Sequence, residues 1–281
     1  MLRSVLLPAD MTDSTELLLK FACGLPSLGV RRVVLAHSVE ATGMEGPVIV
    51  AAVDRARERL REAADVLEGS GLDTEVRVVT GSPSSALTSL ASEVSVDAVV
   101  AGSSGKTVLD RFLGGSVSED LLVLAERPTM FVRFGLLRNA AHPDALLTSF
   151  GRTLLLPTDF SSSSMRALTT ALELPKGFVG TLFMVHVVDP TLADDALRKA
   201  EVGAEFQLKN MAAMAAERGV TARSVIRRGD PRREILRELD ERRASGVITG
   251  TRGRSMLSEA VMGSVSLTLL RQASCPVLVV P

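Results

Sequence analysis

Two stretches of this 281-residue chain space glycines and hydroxyl residues as a phosphate site would need them. The first, AGSSGKTVLDRFLGGSVSE (101–119), suggests a P-loop. That motif needs a glycine, four spacers and Gly-Lys-Ser/Thr, so that the amides curl around a phosphate before the lysine reaches it. Gly105-Lys106-Thr107 supplies the end, but Val100 stands where the first glycine belongs and Gly102 comes two residues too late. Another pattern accounts for the glycines. TGTRGRSMLSEAVMGSVSLT (249–268) places Gly250, Gly253 and Gly263-Ser264 each 148 residues after Gly102, Gly105 and Gly115-Ser116. Glycines without Cβ atoms allow main chain to approach a ligand closely. A nine-residue spacer lets the chain loop out and return, so that Gly115-Ser116 and Gly263-Ser264 open a helix with free amides facing an anion. Lys106, and Arg252 or Arg254, could add positive charge, although loop cations are usually solvated.

The elements that must position these loops are duplicated too. Asp10 in LLPAD (6–10) matches Asp159 in LLPTD (155–159), and His37 in VVLAHSV (33–39) matches His186 in LFMVHVV (182–188), both at an offset of 149. Gly81 and Pro83 match Gly229 and Pro231 at 148, which implies a one-residue deletion in between. The chain is expected to hold two copies of one domain, residues 1–133 and 152–281. FGLLRNAAHPDALLTSFG (134–151) has no counterpart, and its His142-Pro143-Asp144 reads as a turn in a linker.

Within each copy, a short apolar strand ends at proline before the aspartate. Asp13 and Glu16 have capping-box spacing, and Ser161 to Ser164 offer helix caps. A nearly continuous apolar strand, a long helix ending at glycine, a third strand and a Gly-x-Pro turn follow. Ser82 and Asp230 then cap helices that start with proline. A fourth strand runs into the glycine loop, followed by a last helix and a fifth strand. Strands alternating with helices predict an α/β fold: two tandem Rossmann-like domains, each a five-stranded parallel sheet with helices on both faces. In such sheets ligands bind beyond the strand C-termini at the topological switch point, where both Asp10/Asp159 and the glycine loops should sit.

Composition sets limits. Acidic (33) and basic (32) residues balance to a net charge of −1, so no global positive field recruits nucleic acid or an anionic membrane. No apolar run reaches the ~18 residues of a membrane span, and MLRSVLLPADMTD lacks the features of a secretory leader, so the expected location is cytoplasmic. Cys23 and Cys275 lack metal-ligand spacing and read as core thiols. His37 and His186 have no carboxylate partner at readable spacing and are expected to serve structure at the sheet end; no metal site and no catalytic residues are expected.

Asp after the first strand, His-x-Val on the second and G-x2-G-x9-G-S after the fourth together resemble the universal stress protein family in its tandem form, across the chain apart from the linker. The resemblance implies an adenine nucleotide alpha hydrolase-like fold and ATP, with or without Mg2+, held with little or no turnover by a stress-response regulator. It places Asp10 and Asp159 at the adenosine end. Backbone groups of Ser38 and Val187 would meet adenine, and Gly102, Gly105, Gly115, Ser116, Gly250, Gly253, Gly263 and Ser264 the phosphates. In the first copy Ser38 replaces the family's usual apolar residue. Ser245 stands where the first copy has Asp97, a surface position expected to matter little. The family's fifth strands pair across a two-fold axis, so the two copies are expected to form an intrachain pseudo-dimer; a further homodimer and a protein partner are left open. Two other readings remain: a module for structure or interaction that binds no nucleotide, and a slow ATPase. The enzyme reading lacks a Walker loop, an SGGxDS loop and a second placed carboxylate.

Overall fold

The computed structural model describes residues 2–103, 127–251 and 262–281. The chain divides into two compact units, Met1–Thr148 and Ser149–Pro281. In the first, strands β1 (Ser4–Pro8), β2 (Arg32–Val39), β3 (Asp73–Thr80), β4 (Ala98–Ser103) and β5 (Thr129–Arg133) form a parallel sheet in the order β3-β2-β1-β4-β5. Its described helices are α1 (Asp13–Ala22), α2 (Gly46–Glu68), α3 (Pro83–Glu93), α4 (Phe134–Asn139) and α5 (Ala145–Thr148).

The second unit has the same strand order. β6 (Thr153–Pro157), β7 (Thr181–Val188), β8 (Ala222–Arg228), β9 (Gly246–Gly250) and β10 (Val277–Val280) are arranged β8-β7-β6-β9-β10, all parallel. Helices α6 (Ser162–Leu172), α7 (Asp194–Glu217), α8 (Pro231–Glu241) and α9 (Ser264–Gln272) complete it. Each unit is thus the expected α/β fold, with its switch point between the first and fourth strands.

Burial explains the central strands. Val5, Leu6 and Leu7 in β1 and Leu154, Leu155 and Leu156 in β6 are all at most 1% exposed, as a strand covered on both faces requires. The strand starts are held by Asp97 and Ser245, the position expected to matter little. Asp97 Oδ2 accepts from the amides of Arg3 and Ser4 and from the Ser4 hydroxyl, at 2.8–3.0 Å. Ser245 takes over this role in the second unit: its hydroxyl accepts from the Thr153 amide at 2.8 Å and donates to the Phe150 carbonyl at 3.1 Å. The exchange therefore matters locally, because both residues tie the start of the first strand to the start of the fourth.

The helix starts differ in detail from expectation. Thr12, rather than Asp13, is the N-cap of α1 and accepts from the Ser14 amide, so the capping box does not form. Ser161 caps α6 through the Ser164 amide at 3.3 Å. Asp230 caps α8 through Arg232, whose guanidinium and amide hold the carboxyl at about 2, whereas Ser82 occupies the cap position of α3 without a side-chain cap bond.

Residues 134–148 carry α4 and α5, and Leu137 and Leu147 are buried within the first unit. Gly24 allows this docking. A Cβ there would lie 2.5 Å from the Asp144 carbonyl oxygen and 2.8 Å from Leu147 Cβ, and a backbone atom cannot step aside as a side chain does. Gly24→Val is expected to cost about 1–3 kcal/mol in urea denaturation and to speed proteolytic cleavage within 134–148. Unchanged stability and cleavage would show that this docking contributes nothing.

Candidate functional site

The site grows from a mismatch in strand length. In the first unit the last paired residues of β1 and β2 are Pro8 and Ala36, yet β2 continues through His37, Ser38 and Val39 beside β3. The main-chain groups of a strand residue point to one side, and the side alternates along the strand. Ala36 faces β1, since its carbonyl accepts the Ala9 amide at 2.8 Å. Val39 faces β3, since its carbonyl accepts the Gly81 amide at 3.0 Å. Ser38 accordingly presents N–H and C=O on the β1 side, past the point where β1 has ended.

The second unit repeats the arrangement. Val185 accepts from the Thr158 amide at 2.9 Å and Val188 from the Gly229 amide at 3.2 Å, so Val187 presents its N–H and C=O past the end of β6. Both Gly-x-Pro turns rest on a glycine that only Gly adopts easily, with φ of 132° at Gly81 and 147° at Gly229. The Ser38 hydroxyl donates to the Gly81 carbonyl at 2.8 Å, so this departure from the family's residue is satisfied internally.

The two histidines fasten this edge. His37 Nδ1 donates to the Ala9 carbonyl at 2.7 Å, and His186 Nδ1 to the Thr158 carbonyl at 2.8 Å. Each thereby ties the overhanging strand to the loop that carries the aspartate, and the bond fixes the tautomer. In the second unit Phe160 also stacks on His186, with ring centroids 4.5 Å apart.

The residue after each aspartate is left-handed: φ is 61° at Met11 and 62° at Phe160. Side chains rarely adopt this conformation, and it persists where surrounding bonds over-determine it. The two units supply those bonds from different positions. Thr15 Oγ1 accepts the amides of Asp10 and Met11 at 3.2 and 3.1 Å, whereas Thr158 Oγ1 accepts the Phe160 amide at 3.0 Å and donates to Ser164 Oγ at 3.1 Å.

Asp10 Oδ1 accepts from the Thr12 amide and from the hydroxyls of Thr12 and Thr15, at 2.7–3.0 Å. Oδ2 accepts nothing among the described residues. One oxygen holds the loop and the other stays open at the site. Burial pushes the carboxyl up, but the bonds from Thr12 and Thr15 outweigh it and hold it below the ordinary 3.8. Asp159 Oδ1 accepts the Ser161 amide at 3.1 Å in the equivalent turn.

Asp10, His37, Ser38 and Gly102 line one cavity of about 1250 Å³ in the first unit, with Leu6, Val99 and Phe131 among its apolar walls. Gly102 has a reason other than ligand approach: a Cβ would meet the Phe134 ring, with Cε1 at 2.6 Å. Gly250 is likewise pressed by Ser163, whose carbonyl carbon would lie 2.8 Å from a Cβ.

In the second unit the Gly263 amide donates to the Thr251 carbonyl at 2.8 Å, and Ser266 Oγ donates to the Gly250 carbonyl at 2.7 Å. The end of β9 and the N-terminus of α9, with Gly263 at the cap and Ser264 in the first turn, are thus brought together. Between them the Thr251 hydroxyl is buried, at 2% residue exposure, with no hydrogen-bond partner among the described residues. Sequence reasoning had passed over Thr251, since a hydroxyl within a glycine loop carries no signal of its own. Gly105, Gly115, Ser116, Gly253, Lys106, Arg252 and Arg254 lie outside the described residues. No helix of the described residues is long and apolar enough to cross a membrane, and no three His, Cys, Asp or Glu residues among them gather as metal ligands.

The family model "Universal stress protein family" matches residues 1–133 and 151–281. The chain belongs to the universal stress protein family. Universal stress protein MJ0531 of Methanocaldococcus jannaschii is 30% identical over 138 residues, 46% of this chain and 81% of that protein. Universal stress protein YxiE of Bacillus subtilis is 31% identical over 143 residues, 45% of this chain and 97% of that protein. The crystal structure of a universal stress protein from Archaeoglobus fulgidus matches 99% of this chain and 95% of its own, with a TM-score of 0.74 at 24% identity, which extends the fold likeness over both units.

The open edge makes Asp10 the first residue to titrate experimentally. Its charge stabilises the loop above the unfolded value of 3.8, and that contribution is lost as pH falls through the lower folded value. Asp10→Asn keeps an acceptor and removes the charge. Urea melts are expected to show a deficit of about 0.5 kcal/mol at pH 7, small because the group is half exposed, which narrows below 3.8 and closes as pH falls through the lower folded value. A gap independent of pH would show that the charge plays no part.

Proposed function

We propose that this universal stress protein binds adenine nucleotide, ATP above all, at the switch-point edge of each unit, as a stress-response regulator without substantial turnover. The observation that carries this reading is the main-chain N–H and C=O of Ser38, turned away from β3 past the end of β1 at the cavity beside Asp10, with the same strand overhang at Val187. A donor and an acceptor side by side on a strand suit the adjacent ring-nitrogen acceptor and amino donor of adenine. The free Asp10 Oδ2 suits a ribose hydroxyl, which can donate to it.

The phosphate end is supported by Thr251. A buried hydroxyl without a partner costs free energy, and one that gains a partner on ligand binding recovers it. It lies beside the N-terminus of α9, where free amides and the helix dipole favour an anion. The two glycines nearest the site also accommodate Phe134 and Ser163, so substitutions at Gly102 or Gly250 would disturb packing together with binding.

The direct test is to purify the chain without added nucleotide, denature it in acid and quantify the adenine nucleotide released. It is paired with thermal melts in ATP with and without Mg2+ and an assay for phosphate release. ATP at ~100 times its dissociation constant is expected to add about 2.7 kcal/mol per site. Thr251→Val is expected to stabilise the ligand-free protein by about 1 kcal/mol and to weaken ATP at one of two sites by roughly tenfold. No released nucleotide and no thermal shift would refute the reading and leave an interaction module. Steady phosphate release would replace it with an ATPase.

A further inference from the structure

The two units differ at a wall of the site outside the glycine pattern. α2 turns one stripe toward the first cavity: Ala52, Arg55, Ala56 and Arg59, spaced as one face of a helix requires. Neither arginine has a carboxylate partner among the described residues, whereas Arg57, between them in sequence, pairs with Asp54 at 2.8 Å. Arg59 donates once, to the carbonyl of left-handed Met11 at 3.1 Å, and Arg55 once, to Ala51 within its own helix at 3.3 Å. A guanidinium has five N–H donors, so most of each remains available. Arg127 also lines the cavity, but it and the Val96 carbonyl it bonds precede the starts of β5 and β4, at the opposite end of the strands from Asp10. The carboxylates there are Asp10 and Glu40, and Asp10 is tied to Thr12 and Thr15.

The second unit has no such wall. The buried positions Ala204, Leu208 and Ala215 of α7 stand 148 residues after Ala56, Leu60 and Leu67 of α2, which sets the register of the two helices. In that register Gly203 replaces Arg55 and Gln207 replaces Arg59, so the two cations become no side chain and a neutral amide.

We propose that Arg55 and Arg59 form an anion-recognition surface that makes the first unit select the more highly phosphorylated ligand, a discrimination the second unit lacks. The proposal rests on the nucleotide reading. It adds that the two sites differ in ligand preference and names the residues that set the difference. Arg59 is placed for this because it lines the same cavity as Asp10 and Gly102, and its bond to the Met11 carbonyl anchors the guanidinium there. An anchored guanidinium loses less freedom when it grips a phosphate.

The test titrates ATP, AMP and adenosine by calorimetry into the full chain and into the Arg55→Gln/Arg59→Gln double variant. Glutamine keeps the helix propensity of these exposed positions. In the variant, ATP is expected to weaken at least about tenfold at one site. Adenosine should bind both proteins equally, the other ATP site should not move, and the loss should shrink at high salt. Unchanged ATP affinity at both sites overturns this proposal and leaves the nucleotide reading standing. So does an equal loss for ATP and adenosine, which would mean that the arginines only shape the loop. A native chain that binds none of the three overturns the nucleotide reading and this proposal with it.

Discussion

The site depends on a strand that outruns its neighbour. Peptide groups in a sheet must find partners, and β2 and β7 each continue for three residues past the point where the first strand stops pairing. On one side the third strand satisfies them. On the other, Ser38 and Val187 face the side where the first strand has stopped pairing. The Gly-x-Pro turn, the histidine bond and the left-handed loop residue all sit around that overhang. A histidine from the long strand takes up the carbonyl of residue 9 or 158, and the loop amides go to a threonine hydroxyl. The main-chain groups of Ser38 and Val187 are then turned toward the switch-point edge.

Duplication shows which of these arrangements are backbone requirements and which are side-chain choices. The left-handed φ, the histidine bond and the glycine turn recur at matching positions with nearly equal geometry. The hydroxyl that supports the loop comes from Thr15 in one unit and Thr158 in the other, and the strand starts are tied by Asp97 in one and Ser245 in the other. The fold asks for a donor or acceptor at a place in space, and any residue that reaches it will serve. A carboxylate and a hydroxyl are not equivalent electrostatically, however, because only the carboxylate carries charge.

The sequence made much of this legible because the repeat acts as an internal control. Asp10, His37 and Gly81 each recur in register, and their positions at strand ends follow from the hydrophobic runs beside them. What escaped had no such signature. Thr12 caps α1 because the chain turns sharply at Met11, and backbone handedness at a non-glycine residue is invisible in sequence. The helices in 134–148 have no second copy to reveal them, and their burial depends on Gly24, more than a hundred residues away. Comparison of repeats favours what is shared, so Arg55 and Arg59, which differ between copies and lie off the buried face of their helix, were passed over. Gly102 was legible as a close approach, but the approaching group is the Phe134 ring.

The left-handed residues tie stability to function. Such a conformation costs about 1 kcal/mol or more for a side chain with Cβ, and a glycine at Met11 or Phe160 would remove that cost. Glycine would also leave the loop free to take other paths, and the direction of the preceding carboxylate is set by that loop. At Phe160 the side chain contributes further by stacking on His186, the same ring that ties the loop to β7. In the first unit the Met11 carbonyl accepts the Arg59 guanidinium. The strained residue thus links the aspartate to a neighbouring aromatic ring in one unit and to a cation in the other. Two copies of one backbone can in this way present different side chains at the same edge without any change in the sheet that carries them.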